Sequence, residues 1–332
     1  MTPRDLERAR RLLCALQDHI LAVLIAARTK QASSFAKVAA VTAADTIYHI
    51  DRLSEHAILD WFGRHWPKAW PVEVVMEGLE GEAVTFPHGT PAKATLFKCI
   101  LDPIDGTRNI MYDKRSAWIL GALAPQRGDR NNLGDITIAA MTEIPTSKQW
   151  RSDQLSAIRG RGVQAEAVDV FSGKRQKLPV KPSNAKNCRG GFAAISRFFP
   201  EGKTLLAWIE EQLWDRLYGL GKQAGPLVFD DQYICTGGQL YELIIGHDRF
   251  LADLRPLVFK KLRLKSALVC HPYDICTALI AREAGCVIEG PLGGKLDQPL
   301  DTTAAVAWTG YANPALARHI RPVLHKLIRR TL

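Results

Sequence analysis

Several features that would point to other classes of protein are missing from this 332-residue sequence. Its seven cysteines form no Cys-x-x-Cys pair, and the spacing of Cys270, Cys276 and Cys286 fits no zinc pattern. No apolar run is long enough to cross a bilayer. There is no run of Lys and Arg with interleaved aromatic residues, no internal repeat and no low-complexity tract. We therefore expect buried, reduced cysteines, a cytoplasmic location, and neither a membrane nor a nucleic acid as partner.

Two further patterns are also lacking. The N-terminus has Asp5 and Glu7 where a secretory signal has basic residues, and Gln17 to His19 interrupt its apolar run. The segment Gly219 to Lys222 lacks the spacing of a Walker loop. What is present is an ordinary globular composition, 47% hydrophobic and 23% charged, with a formal net charge of +10. That charge favours partners with phosphate groups and says nothing about the fold.

The most informative stretch runs from Asp102 to Thr107, with the sequence Asp-Pro-Ile-Asp-Gly-Thr, and follows an apolar run over residues 94–101. Asp102 precedes a proline, so its backbone is restricted to an extended conformation. Gly106 permits close approach to a ligand, and the amides of Gly106 and Thr107 at the start of a helix would suit a phosphate. Two carboxylates beside such amides predict a Mg²⁺ and phosphate site.

The same residues are also ordinary components of a tight turn that binds nothing. The preceding strand pattern, the following Thr107 and matching segments elsewhere in the chain favour the metal site.

The stretch from Asp102 to Thr107 resembles the D-P-[IL]-D-G-T signature of the inositol monophosphatase family, the Mg²⁺-dependent, lithium-sensitive sugar-phosphate phosphatases. A family Trp-Asp that opens a helix ending in Glu-Ala-Gly-Gly is similar to Tyr273-Asp274 followed by Glu283 to Cys286. The family's early Val-Thr-x-x-Asp is matched by Val41 to Asp45. The three segments occur in family order, so the resemblance covers residues 10–315.

The resemblance implies a phosphomonoesterase that hydrolyses a small phosphorylated metabolite, inositol monophosphate or a related sugar phosphate. It implies two or three Mg²⁺ ions, with Mn²⁺ as a substitute and Li⁺ as an inhibitor, and a homodimer. The phosphate would contact Asp105, Gly106 and Thr107. The implied metal ligands are the carboxylates of Glu77, Asp102, Asp105 and Asp274 and the backbone carbonyl of Ile104.

In the family, the threonine of the motif and the Glu ligand activate the attacking water, and the early Asp contacts that threonine. This assigns catalytic roles to Thr107, Glu77 and Asp45. Taken alone, Thr107 would be a helix cap and Asp45 a surface helix residue. The family lysine before the early Asp has no clear counterpart, since Ser34 lies at its position and Lys37 lies nearby.

Two of the implied metal ligands, Glu77 and Asp274, have alternative interpretations. Glu77 is the first carboxylate after a predicted strand, but the family's adjacent Glu-Glu pair is lost, so Glu80 and Glu82 compete with it. Asp274 could be a helix N-cap, which is compatible with a metal role. Tyr273 replaces the family's Trp, which leaves metal binding intact but the packing of the substrate open, and Cys286 replaces the family's second Gly.

Apolar periodicity predicts helices over residues 4–29, 41–62 and 202–218, and a docked, basic terminal helix over 319–330. Strands are predicted over 70–76, 94–101, 116–124, 135–144, 154–169 with a break at 160–162, and 191–195. We interpret residues 78–93 as a loop and 173–189 as a connection between subdomains.

The hairpin-like series of strands indicates an antiparallel sheet, and the alternating elements beyond residue 190 indicate an α/β half. We expect an α+β fold. The resemblance implies a layered αβαβα sandwich of two intimately packed subdomains. Residues 1–182 would carry the metal motif, and 183–332 would carry Asp274 and the substrate pocket.

The substrate itself is open. Ser196-Arg197 resembles a segment of the 3′(2′),5′-bisphosphate nucleotidase branch, although Phe198 to Pro200 depart from it. The segment Thr236 to Gly238 lies where the family has small residues near the substrate. The alternatives are therefore a 3′(2′),5′-bisphosphate nucleotidase or a fructose-1,6-bisphosphatase. An alternative of another class is a catalytically weak protein that uses its basic surface for binding.

Overall fold

The structure is a computed structural model that describes residues 1–30, 38–41, 46–79, 84–222, 225–264 and 268–332. These residues form two large β-sheets with helices on both sides of each, and a separate two-stranded sheet, which confirms the predicted α+β class. No helix among them combines the length and the apolar character that a bilayer crossing requires.

The strands of the described residues fall into a small hairpin and two larger sheets. The hairpin pairs β1 with β2, the eight-stranded sheet has the order β10-β9-β8-β7-β6-β5-β3-β4, and the five-stranded sheet has the order β12-β11-β13-β15-β14. The strands are β1 Val38–Val41, β2 Thr46–Tyr48, β3 Val72–Met76, β4 Val84–Phe86, β5 Phe97–Asp105, β6 Ala117–Pro125, β7 Ile138–Ile144, β8 Arg151–Ile158, β9 Val163–Asp169, β10 Arg175–Lys177, β11 Gly191–Ile195, β12 Val228–Phe229, β13 Asp248–Asp253, β14 Val287–Glu289 and β15 Trp308–Tyr311.

The helices complete a five-layer arrangement. On one side of the eight-stranded sheet, α1 packs on β6, β7 and β8, and α2 packs on α1 and β5. Helices α5, α7 and α8 lie between the two large sheets. Helices α4 and α9 cover the far side of the five-stranded sheet. The α-helices described are α1 Pro3–Lys30, α2 His49–His65, α3 Thr107–Met111, α4 Lys203–Tyr218, α5 Thr236–Ile245, α6 Arg255–Leu262, α7 Pro272–Ile275, α8 Ala278–Glu283 and α9 Pro314–Thr331.

Two hydrophobic clusters hold these layers together. One lies between α1, α2 and the outer face of the eight-stranded sheet, with Leu13, Ile20 and Phe62 at its centre. The other joins the inner face of that sheet to the five-stranded sheet and its helices, and includes Trp118 and Phe250. The predicted terminal helix is confirmed as α9, which buries an apolar stripe against the second cluster.

One helix prediction is wrong at its start. The predicted helix over 41–62 begins only at His49, because Val41 ends β1 and Thr46–Tyr48 form β2, and the β-branched and aromatic residues of these strands favour extended backbone. It also continues past Gly63 to His65. A single helical glycine costs only about 1 kcal/mol, and the helix stops just before Pro67.

Two predicted loops contain strands. Within residues 78–93, β4 pairs antiparallel with β3, and Phe86 stacks on Phe62 with ring centroids 5.3 Å apart. Within 173–189, β10 forms the edge of the eight-stranded sheet. Both strands have only three residues, too few for a period-two pattern to be recognised. The sheet is also not wholly antiparallel, since β3 and β5 run parallel.

All seven cysteines are free and buried, as expected from their lack of pairing patterns.

Candidate metal centre

The Asp102 to Thr107 stretch lies at the end of β5, where the strand has an irregular register. Asp102 pairs with Leu120 of β6 and Asp105 pairs with Trp118, so three steps along β5 match two steps along β6. In a regular strand, residues three apart point to opposite faces. The extra residue of this bulge allows both carboxylates to reach one side, and Asp102 Oδ1 accepts a hydrogen bond from Ile104 N at 2.9 Å.

Gly106 makes the turn from β5 into α3. Its φ of 90° is left-handed, and an added Cβ would lie 3.1 Å from Cys235 Cβ, so both conformation and space favour glycine. The Thr107 hydroxyl donates to Ile104 O at 2.9 Å. The helix α3 has only five residues, so the turn sits at the start of a very short helix, as the sequence predicted.

Asp274 approaches the same place from α7. It occupies the third helical position and not the N-cap, which is His271, so the N-cap interpretation was wrong. The Asp274 Oδ2 accepts from His271 N at 2.5 Å, and Pro272 fixes the first helical residue. A carboxylate at this position closes a capping box and still has a second oxygen for other partners.

Asp102, Asp105 and Asp274 form an acidic cluster, in which Asp102 and Asp105 are buried and Asp274 is half-buried. One carboxylate oxygen from each lies within 4.8 Å of the others. Burial raises the pKa of Asp105 to about 6. The pKa of Asp102 is raised by burial and then by the charges of Glu77, Asp105 and Asp274, and that of Asp274 by burial and then by Asp105. Three carboxylates in such a place favour either bound protons or a cation.

Glu77 follows β3, which runs parallel to β5, and Glu77 N donates to Leu101 O at 3.3 Å. Its charge contributes to the raised pKa of Asp102, so its carboxylate lies within electrostatic range of the cluster. Among the described residues, the set with oxygens within 4.8 Å consists of the three aspartates without Glu77. Glu80 and Glu82 lie outside the described residues, as do Asp45, Ser34 and Lys37.

The N-terminus of α5 contacts the cluster, a feature that our sequence reasoning noticed only as a segment of small residues. Gly237 N donates to Asp105 Oδ2 at 2.5 Å, and Cys235 Sγ donates to Asp105 O at 3.1 Å. The amide of Gly237, the side chain of Cys235 and the amide of Thr236 oppose the effect of burial and lower the pKa of Asp105. No local pattern of Cys235 indicated this contact.

Arg255 was also missed by sequence reasoning. Its guanidinium is buried and pairs with Asp253 at 2.6 Å. Its charge lowers the pKa of Asp105 and of Asp274, which places it within electrostatic range of both. By contrast, Arg197, considered for nucleotide binding, is paired with Glu210 and Asp230 of the protein itself.

The donor set fits a hard divalent cation. Mg²⁺ prefers oxygen ligands, and the three carboxylates supply them. Three thiols lie near the cluster, those of Cys235, Cys270 and Cys276, but burial raises the pKa of each, so they remain protonated and poor metal ligands. The residues present therefore suit Mg²⁺ or Mn²⁺ better than zinc.

A cleft of about 740 Å³ lies elsewhere, between α1 and the strands β8, β9 and β10. None of the three clustered aspartates lines it. Arg175 lines it and pairs with Asp18 at 2.6 Å and with Glu166 at 3.0 Å. We place the chemistry at the acidic cluster, because its three carboxylates lie close together and require a counter-charge, whereas the charged residues that line the cleft are of both signs.

Solved structures that share this fold include the following three. Fructose-1,6-bisphosphatase of Leishmania major in its holo form is 15% identical, with 96% of this chain and 94% of that chain covered and a TM-score of 0.65. The extragenic suppressor protein suhB of Bartonella henselae is 16% identical, with 98% and 100% covered and a TM-score of 0.65. SuhB of Mycobacterium tuberculosis is 13% identical, with 98% and 96% covered and a TM-score of 0.58.

These likenesses establish the fold. They confirm the layered sandwich that the resemblance implied. No protein-family model matches the chain, and no curated protein matches it.

Proposed function

We propose that this chain is a Mg²⁺-dependent phosphomonoesterase that acts on a small phosphorylated metabolite. The observation that carries the proposal is the acidic cluster of Asp102, Asp105 and Asp274, which two distant segments of the chain bring together beside the Gly106 turn. A structural turn has no need of a third carboxylate from another segment. The fold shared with a fructose-1,6-bisphosphatase supports the same reaction class.

In this proposal, Asp102, Asp105 and Asp274, with Glu77 and the carbonyl of Ile104, hold Mg²⁺. When bound, Mg²⁺ lowers the pKa of water and neutralises charge on the phosphoryl oxygens. The Ile104 carbonyl already accepts from Thr107 at 2.9 Å, so the threonine hydroxyl lies beside the assigned metal site.

The remaining steps belong to the chain's own groups. Thr107 and Glu77 would orient the attacking water, whose proton passes to the Glu77 carboxylate, and Asp45 would support Thr107. The water oxygen bonds to phosphorus as the P–O bond to the alcohol breaks, and the departing alkoxide takes a proton from solvent. The amides of Gly106 and Thr107 donate to the phosphate oxygens and fix the ester for in-line attack. No side chain forms a covalent phosphoenzyme. Inhibition by Li⁺ and a homodimeric state are part of the proposal and rest on the resemblance. A cytoplasmic location is also part of it and rests on the pattern of the cysteines.

The test is hydrolysis of a panel of phosphate esters by protein stripped of metal and then supplied with Mg²⁺ or Mn²⁺. We expect turnover only with added metal and inhibition by Li⁺. The variant Asp129→Asn is a matched control, because Asp129 is exposed and remote from the cluster. A folded protein that hydrolyses no ester at any Mg²⁺ concentration, but binds nucleic acid tightly and with strong salt dependence, would favour the basic binding protein instead.

A further inference from the structure

The edge of the five-stranded sheet nearest the acidic cluster is formed by the carboxyl ends of two parallel strands. Ile195 of β11 pairs with Ala252 of β13, so the next residues of the two chain segments, Ser196 and Asp253, are neighbours at this end of the sheet. Ligands of α/β sheets bind preferentially outside such ends. The same end meets the start of α5, since Gln239 Nε2 donates to Ser196 Oγ at 3.0 Å. Because α5 also holds Asp105, this edge adjoins the proposed reaction centre.

Arg255 is fixed at this edge by three hydrogen bonds. Its Nε and Nη2 donate to the two carboxylate oxygens of Asp253 at 2.9 and 2.6 Å, and its Nη1 donates to Leu268 O at 3.0 Å. A guanidinium has five N–H groups. The two that remain have no acceptor among the residues that the structure describes, although Arg255 is only 6% exposed. Buried donors are normally paired, so these two call for water or a ligand.

Two aromatic rings hold the guanidinium in place. Its carbon lies 4.7 Å from the ring centroid of Phe198 and 5.4 Å from that of Phe199. Both rings are half-buried, and they meet edge to face at 6.1 Å. Stacking on aromatic faces fixes the plane of the guanidinium and thus the direction of its remaining donors.

We propose that Arg255 binds a second anionic group on the alcohol part of the substrate. The preferred substrate would then be a bisphosphate, or a phosphate ester that also carries a carboxylate, and not a neutral sugar monophosphate. This inference rests on the proposed function. Paired guanidinium N–H groups match the oxygens of phosphate and carboxylate. Both carboxylate oxygens of Asp253 accept from Arg255, so this pair holds the guanidinium in one orientation.

The test compares esters that differ only in the second phosphate. Suitable pairs are inositol 1-phosphate with inositol 1,4-bisphosphate, fructose 1-phosphate with fructose 1,6-bisphosphate, and adenosine 3′-phosphate with adenosine 3′,5′-bisphosphate. We expect kcat/KM to favour the doubly charged member of at least one pair by about 10- to 100-fold, mainly through KM. The double variant Asp253→Asn/Arg255→Met should reduce that ratio to within about threefold of one.

The double variant is chosen because Arg255→Met alone would leave a buried Asp253 unpaired and could unfold the protein. Arg255→Lys is a second variant, which keeps the charge and loses the planar fork, and it should give an intermediate ratio. The matched control is Glu289→Gln/Arg321→Met, which removes a similar two-bond pair, at 2.8 Å for both bonds, between α9 and β14. It should leave the ratio unchanged.

A binding measurement separates this inference from the proposed function. Calorimetry on the Asp105→Asn protein with Mg²⁺ should show tighter binding of the bisphosphate than of the monophosphate, and the difference should disappear with the double variant. If no ester is hydrolysed, the proposed function fails and the binding difference alone decides on Arg255. A wild-type ratio near one, or a preference that survives the double variant in turnover or in binding, overturns the inference.

Discussion

At the scale of single residues, the acidic cluster is a place where the fold holds charges that it does not neutralise. Asp102 is 1% exposed and Asp105 is 8% exposed. They accept hydrogen bonds from the backbone amides of Ile104 and Gly237, which carry no net charge. A bound proton or cation is therefore needed to neutralise the carboxylates. Two consequences for activity and stability follow.

The variant Asp105→Asn tests the assignment of Asp105 as a metal ligand. Asparagine keeps the size and can still accept from Gly237 N, but it lacks the charge. A bound metal ion stabilises the charge of the transition state by several kcal/mol. If Asp105 helps to hold that ion, kcat should fall by at least about 1000-fold in the variant. Thermal unfolding of the metal-free variant should occur at the same or a higher Tm at neutral pH, because a buried charge is lost. The control is Asp129→Asn, and near-wild-type turnover at saturating Mg²⁺ would contradict the assignment.

The pH dependence of stability tests the electrostatics of the cluster. The pKa of Asp105 is raised from 3.8 to about 6, so the folded protein binds this proton more tightly than the unfolded one. Metal-free protein should therefore lose stability as pH rises from about 4 to about 6. The raised pKa values of Asp102 and Asp274 extend the loss in the same direction.

Mg²⁺ competes with these protons, so its apparent affinity should rise with pH over the same range, by up to about tenfold per pH unit for one displaced proton. The measurement is Tm with and without Mg²⁺ at a series of pH values. The increment should grow with pH in the wild type and grow less in Asp105→Asn. An increment that does not depend on pH would show that no carboxylate proton is displaced.

The cluster residues differ in how far the sequence could reveal them. Asp102, Asp105 and Asp274 lie in recognisable motifs, so their meeting could be predicted. Arg255 carries no such signal, because its role comes from pairing with Asp253 and from rings more than fifty residues earlier in the chain. Burial and partner identity at such sites follow from tertiary packing, which a single local pattern does not record.

At the scale of elements, the acidic cluster depends on how the start of α5 packs against the first residues of β6. The start of α5 lies so close to β6 that Gly237 has no room for a side chain. An added Cβ would lie 2.6 Å from Leu120 Cδ2, 3.0 Å from Trp118 Cβ and 3.2 Å from Asp105 Oδ2. The sequence showed the pair of glycines, but the contact joins residues 132 positions apart and could not be predicted from them.

The variant Gly237→Ala should push the start of α5 away from β6. We expect a loss of about 1–3 kcal/mol in the free energy of unfolding, as for overpacked cores. Weaker Mg²⁺ binding and lower turnover should accompany it, because Asp105 loses the amide that orients it. Denaturant unfolding and calorimetric Mg²⁺ titration measure the two effects. Gly225→Ala is the control, since no atom of the described residues lies within 4 Å of its added Cβ. Equal behaviour of the two variants would contradict this account.

At the scale of the whole molecule, the order of elements could be predicted better than their pairing. Long periodic segments such as α1 and α4 were predicted within a few residues, because an amphipathic helix records its period in the sequence. The three-residue strands β4 and β10 were not, since so few residues record no period. The division into subdomains at residues 182 and 183 stays a proposal. The proposed boundary falls between Lys177, the last residue of the eight-stranded sheet in the sequence, and Gly191, the first residue of the five-stranded sheet.

The packing between the two large sheets predicts that these subdomains unfold together. The inner cluster contains Trp118, Leu120 and Met141 of the first sheet and Ile195 and Phe250 of the second, all almost fully buried. Separating the sheets would expose both faces of this cluster at a cost of about 25 cal/mol per Å² of apolar surface. Neither half should therefore be stable alone.

Scanning calorimetry of the metal-free protein should accordingly show one transition, at the same Tm as the loss of near-ultraviolet circular dichroism. The fragment 1–182 should lack a cooperative transition, because the inner face of its sheet would lie open to water. A second, separable transition in the full chain, or cooperative unfolding of the fragment, would mean that the first sheet has a sufficient core with α1 and α2 alone. The acidic cluster would then depend on the docking of two independently stable bodies, since Asp102 and Asp105 lie on one and Asp274 on the other.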